Sequence, residues 1–125
     1  TENTMTKFSS LLAALALAGC YSMPRAQVSA RGGGLVGPNG MTLYTFDRDV
    51  AGSGKSACNG PCATNWPPLT AAAAPGGDGY SLVRRDDGTQ QVAYKGKPLY
   101  YWSKDAKPGD KTGDGVNNVW HAAMP

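Results

Sequence analysis

Two triplets of side chains in this 125-residue chain have types and spacing that could do chemistry: Tyr44, Phe46 and Asp49, and Tyr100, Trp102 and Asp105. Aromatic rings at alternate strand positions, followed by a carboxylate, can form a platform for a sugar or peptide. The rings would stack on apolar faces and the carboxylate would fix a polar group. The same pattern also serves folding. Rings on one strand face make a core, and each Asp can cap the Gly-rich loop that follows it by accepting from backbone N–H groups. The folding reading is favoured, because symmetric placement in two copies is what a duplicated unit requires. Tyr101 alternates away from Tyr100 and Trp102, which makes it the best single candidate for an exposed contact. The loops 50–66 and 106–118, with whichever of Trp66, Tyr101 and Trp120 are not in the core, make up the candidate contact surface.

Cys58 and Cys62 enclose Asn-Gly-Pro. Thioredoxin-type dithiols have two intervening residues rather than three, and a zinc site needs two further ligands, whereas His121 is the only histidine. Asp110-Lys-Thr-Gly-Asp114-Gly115 opens like a calcium loop, but His121 stands where the closing glutamate belongs. His121, Asp110, Asp114, the methionines and the cysteines together carry an alternative reading as a metal-binding or redox accessory protein. Catalysis finds less support. The chain has no Gly-x-Ser-x-Gly elbow, no P-loop and no dinucleotide fingerprint. A hydrolase would need His121 beside a carboxylate in a cleft. The expectation is a protein that is not an enzyme and holds no cofactor.

The elements that must position these residues follow from composition and period. With 17 Gly, 9 Pro and only 17% charged residues, the chain is not a helical bundle, and 41% apolar content separates it from low-complexity disorder. A net charge of +3 is too mild for a nucleic-acid partner. Residues 36–49 lie over residues 92–105 at a constant offset of 56, with Val, Gly, Leu, Tyr and Asp identical and Phe/Trp and Arg/Lys alike. Each copy then runs through a Gly-rich loop to a Trp. This is a duplicated unit. Inside each copy the pattern is β. Leu35-Val36, a Gly37-Pro-Asn-Gly40 turn and Met41–Phe46 predict one hairpin; Tyr80–Arg85, Asp86-Asp87-Gly88 and Gln90–Tyr94 predict another. Lys95-Gly96 turns into a strand over Pro98–Trp102, and Val119–Ala123 closes the domain. No helix is expected in this part, and Ala71–Ala74 reads as a linker. The fold class is therefore all-β: one small domain over 35–125, made of two related repeats (35–69 and 80–123), with antiparallel hairpins and long Gly/Pro-rich loops.

Upstream, Met5-Thr-Lys7 precedes an apolar run from Phe8 to Leu17 and then Leu-Ala-Gly-Cys20. This reads as a secretory signal peptide over 1–19, too short to span a bilayer. Leu-Ala-Gly-Cys resembles the lipobox of bacterial lipoproteins, which implies lipidation of Cys20, cleavage before it and a membrane partner through the lipid. Tyr21, rather than Asp, implies the outer membrane. Residues 20–34, with three consecutive Gly, read as a flexible tether. In an oxidising compartment Cys58 and Cys62 are expected to be bonded, fixing a turn more than closing a long loop.

Leu-Tyr-Thr-Phe-Asp-Arg-Asp49, the run from Ser56 to Leu69, Arg85 to Tyr100, Pro108-Gly-Asp and Gly113-Asp-Gly-Val resemble, in order, the bacterial predicted lipoproteins with a Yx(F/W)xxD motif, the secreted repeat of unknown function. The resemblance covers about Gly34 to Ala123. His121 departs from it, since an aromatic is more usual after that Trp. The resemblance implies a lipid-anchored envelope protein facing the periplasm or exterior, a non-catalytic binding or structural module with an envelope protein or glycan as partner.

Overall fold

The structure, a computed structural model, describes residues 27–125. The leader, Cys20 and the start of the tether lie outside the described residues. The elements in chain order are β1 (Ser29–Arg31), β2 (Gly34–Val36), β3 (Tyr44–Phe46), a short helix α1 (Pro61–Asn65), β4 (Tyr80–Arg84), β5 (Gln90–Tyr94), β6 (Lys97–Pro98), a 3₁₀ turn (Val116–Asn118) and β7 (Trp120–Ala122). All pairing is antiparallel: β1 with β2, β3 with β7, and β4–β5–β6 in one sheet. The domain is all-β and built from two repeats.

Three expectations are corrected. The tether does not run through to Gly34, because Ser29–Arg31 pairs with Gly34–Val36. The Gly32-Gly33 dipeptide, at φ +60° and +82°, makes a two-residue hairpin turn whose positive φ values only glycine adopts freely. A helix forms where none was expected. Pro61 fits the first helical turn, where no N–H partner is needed, and Trp66 N donates to Cys62 O (2.8 Å) to close it. The strand expected over Pro98–Trp102 is confined to Lys97–Pro98, because Tyr100 then bridges to Tyr44 on one side and Pro68 on the other.

The two repeats interlock. Leu35 N donates to Ala123 O, Ala123 N to Leu43 O, and Leu43 N to Leu35 O, a closed triangle with N···O distances of 2.8–2.9 Å. Val92 N donates to Leu69 O, Leu69 N to Leu99 O, and Leu99 N to Val92 O, the same triangle at 2.8–3.0 Å. In each triangle two residues come from one repeat and the third from the other, so neither repeat closes its own backbone. Hydrogen bonding thus matches Leu35, not Val36, with Val92, since the first turn is one residue longer. Between the triangles lies the local two-fold: Tyr44 N donates to Tyr100 O (2.7 Å) and Tyr100 N to Tyr44 O (2.9 Å).

Side chains on either face of this strand crossing fill two cores. Leu35, Leu43, Leu69, Val92, Leu99 and Ala123, the six triangle residues, form one. Tyr44, Phe46, Cys58, Trp66, Tyr100 and Trp120 form the other. No helix among the described residues is long and apolar enough to cross a membrane.

Candidate functional site

Alternation along β3 sends Tyr44 and Phe46 to one side, and Tyr100 and Trp102 leave the second motif segment toward the same core. There the rings stack in the order Phe46–Trp120–Trp66–Trp102, with centroid separations of 4.2, 3.8 and 3.9 Å and interplanar angles of 11°, 3° and 27°. The repeats alternate along the stack. Each motif ring lies on the Trp of the other repeat, and each Trp meets its own repeat's Tyr edge-on (Trp66 with Tyr44 at 5.5 Å, Trp120 with Tyr100 at 5.1 Å). Such pairs add about 1 kcal/mol each beyond area burial. Gly113 sits against the stack's edge, where a Cβ would come within 2.9 Å of both Trp66 and Trp102.

The motif carboxylates also cross between repeats. Tyr44 donates to Asp105 Oδ2 and Tyr100 donates to Asp49 Oδ2, each at 2.6 Å. Asp105 Oδ1 accepts from Thr112 N (3.0 Å) and Thr112 Oγ1 (2.6 Å), and Asp49 Oδ1 accepts from Ala57 N (2.6 Å), so each Asp holds the loop that follows it. The Tyr100–Asp49 crossing is the more deeply buried. Arg85, only 5% exposed, donates to Ser56 Oγ (2.9 Å), Gln91 Oε1 (2.7 Å), Cys58 O (2.6 Å) and Asn59 Oδ1 (3.2 Å). Because Tyr100 gives its proton to Asp49, Ser56 donates to the Tyr100 oxygen (2.6 Å), and an Arg85–Ser56–Tyr100–Asp49 chain links a buried cation to a buried anion.

Burial first, and then the hydrogen bond to a carboxylate, pushes the Tyr44 and Tyr100 phenols well above the usual tyrosine range. Burial alone pushes Tyr101 up to about 12. Each folded-state value lies above the unfolded value of about 10, so the stability these groups contribute is complete below pH 10. It declines as pH rises from there through the folded values. Thermal melts are expected to be flat in these groups up to about pH 10 and to fall above it, with tyrosinate absorbance appearing together with unfolding. Free ionisation of all tyrosines near pH 10 with the fold intact would contradict the buried phenol network.

Cys58 and Cys62 form a disulfide with a Cα–Cα distance of 5.2 Å, and Cys58 is fully buried at the edge of the aromatic core. For so short a loop, chain entropy alone gives about 2 kcal/mol. Replacing both cysteines with alanine is therefore expected to lower the Tm by roughly 10 °C. Calorimetry of the double variant checks this, and an unchanged Tm would remove the bond from the stability of the fold.

Trp66 and Trp120 lie in the core, 4% and 3% exposed, and are not contact residues. Tyr101 does face away from Tyr100, but the far side is the aliphatic core rather than solvent, and its ring lies so close over Gly37 that a Cβ there would collide with it. Trp102 is half-buried and lies at the end of the stack. Asp110 Oδ2 accepts from Ala106 N and Lys107 N, and Asp114 Oδ1 from Ala122 N. Among the described residues, no three His, Cys, Asp or Glu side chains converge as a metal-ligand cluster, so His121, Asp110 and Asp114 are not one site. His121 Nε2 meets Asp47 Oδ2 at 2.8 Å, but both side chains are about half exposed. Among the described residues no hydroxyl or thiol side chain hydrogen-bonds to that imidazole.

Arg85, Ser56 and Lys97 escaped the reading of the sequence. Arg85 continues the inward alternation of Val83, and Ser56 lies 56 residues before the hydroxyl of Thr112, so period and repeat each held a signal. Lys97 carried none, because its role depends on which repeat it reaches.

Fold and site together define a duplicated β module whose signature residues point inward and tie each copy to the other. The model of the secreted repeat of unknown function matches residues 27–70 and 81–124, and the chain belongs to that family. No curated protein and no solved structure shows significant similarity to it.

Proposed function

We propose that the protein is a lipid-anchored module of the bacterial envelope that binds or braces a partner and carries out no catalysis. The observation that carries this reading is the fate of the motif. Both Tyr hydroxyls and both Asp carboxylates are engaged inside the protein, and three of the four stacked rings are buried. Residues so engaged hold loops in place and leave the surface to the loops 50–66 and 106–118, where an envelope protein or glycan would be met. The disulfide supports an oxidising compartment. Leu-Ala-Gly-Cys20 supports anchoring through acylated Cys20, with Tyr21 favouring the outer membrane.

Expression of the full chain with Cys20→Ser tests the anchor. The unsubstituted protein is expected in the outer-membrane fraction with diacylglycerol on the thiol, and the variant in the soluble periplasm. A variant that stays membrane-bound, or an unmodified Cys20 in the parent, overturns the anchor.

A further inference from the structure

The local two-fold makes each repeat a control for the other, and one difference between them lies at the turn after the motif rings. In the first repeat, Asp49 N donates to Phe46 O (3.0 Å) and closes a turn. Lys97 reaches across from the second repeat, and its Nζ donates to Phe46 O (2.8 Å) and Asp49 O (2.9 Å). The second repeat builds the same turn, with Asp105 N donating to Trp102 O (3.1 Å). The residue equivalent to Lys97, two before the shared Leu-Tyr, is Met41, which has no donor to offer. Where the lysine would lie, there is an open cleft of about 250 Å³ lined by Met41, Tyr101, Trp102, Asp105, Pro67 and Asn39.

We propose that this cleft binds a primary ammonium on an aliphatic stem, taking the place that Lys97 fills from within in the other repeat. Among the described residues Asp105 is the only acidic or basic residue lining the cleft. Trp102 lines the cleft as well, with its indole stacked on Trp66 and Lys104 Nζ 5.6 Å from a ring centroid, so its N–H signal reports on what enters. Met41 and Pro67 supply the apolar wall that a run of methylenes packs against. The volume suits one side chain rather than a drug-sized molecule. The inference gives the binding module proposed above a ligand class and rests on that reading, yet its failure is distinguishable, since the Cys20→Ser fractionation is indifferent to the cleft.

The test titrates the intact ¹⁵N-labelled chain with Nα-acetyl-lysine methylamide, following the indole N–H signals. A saturable shift of Trp102 with a Kd on the order of 1 mM is expected, as suits a single side chain. The Nε-acetylated probe should bind at least about tenfold more weakly. Met41→Lys should abolish the shift by filling the cleft with its own ammonium. n-Butylamine separates the sources: equal affinity means a free amine suffices, weaker affinity means a peptide-borne lysine, and both support the ammonium site. No saturable shift, equal binding of the neutral probe, or undiminished binding to Met41→Lys overturns it. If Met41→Lys does not fold, nuclear Overhauser contacts from the probe's ε-methylene to the Met41 methyl and the Trp102 ring replace it, and their absence overturns the site.

Discussion

Trp120→Ala is expected to cost about 3–5 kcal/mol, as removal of a fully packed aromatic does. Trp120 is 3% exposed, stacks on Phe46 on one face and Trp66 on the other, and takes the Tyr100 ring edge-on. Its loss leaves a cavity between Phe46 and Trp66, two rings of the other repeat, which the strand crossing at Tyr44 and Tyr100 does not let collapse. Domains of this size hold only about 5–15 kcal/mol in all, so this one substitution removes a large fraction of the stability. Trp102→Ala is the internal comparison. Trp102 ends the stack and is half-buried, so its removal should cost roughly 1–2 kcal/mol. Urea unfolding followed by circular dichroism measures both. If Trp120→Ala costs no more than Trp102→Ala, the stack does not organise this core.

The second large effect separates two residues that are identical by motif. Asp49→Asn should cost about 3 kcal/mol and Asp105→Asn only about 1 kcal/mol. Asp49 is 4% exposed and is the anion at the end of the chain that begins at buried Arg85. The direct acceptors of Arg85 are all neutral, so neutralising Asp49 removes the buried countercharge that the guanidinium reaches through Ser56 and Tyr100, and puts an amide where Tyr100 needs an acceptor. Asp105 is half-buried, and among the described residues its hydrogen-bond partners are Tyr44 and Thr112. A cycle with Arg85→Met should show coupling for Asp49 and none for Asp105. Equal costs would mean that Arg85 and Asp49 do not sense each other.

How much of this was legible follows from the reach of each interaction. The alternation of Leu43, Tyr44, Thr45 and Phe46 placed the rings on one face because a strand's period is local. Asp86-Asp87-Gly88 marked a turn for the same reason: Gly88 takes φ +88° and Asp87 accepts from Thr89 N. Tyr101 was misjudged because alternation tells which side a ring takes and not whether that side is covered. The Gly32-Gly33 turn was lost among residues that read equally well as linker, since only the pairing of Ser29–Arg31 with Gly34–Val36 decides between them.

By itself the sequence determined the all-β class, the duplication, the motif faces and the cysteine pair, all properties of neighbours in the chain or of one copy laid over the other. Tertiary structure alone decided that Tyr44 answers to Asp105 and Tyr100 to Asp49, that the four rings alternate between repeats, and that Lys97 fills one pocket while Met41 leaves its twin open. A copy folded on itself and a copy exchanged with its partner have the same residues, period and turns. They differ only in contacts between residues far apart in the chain, which exist once both halves have closed around the Tyr44–Tyr100 crossing.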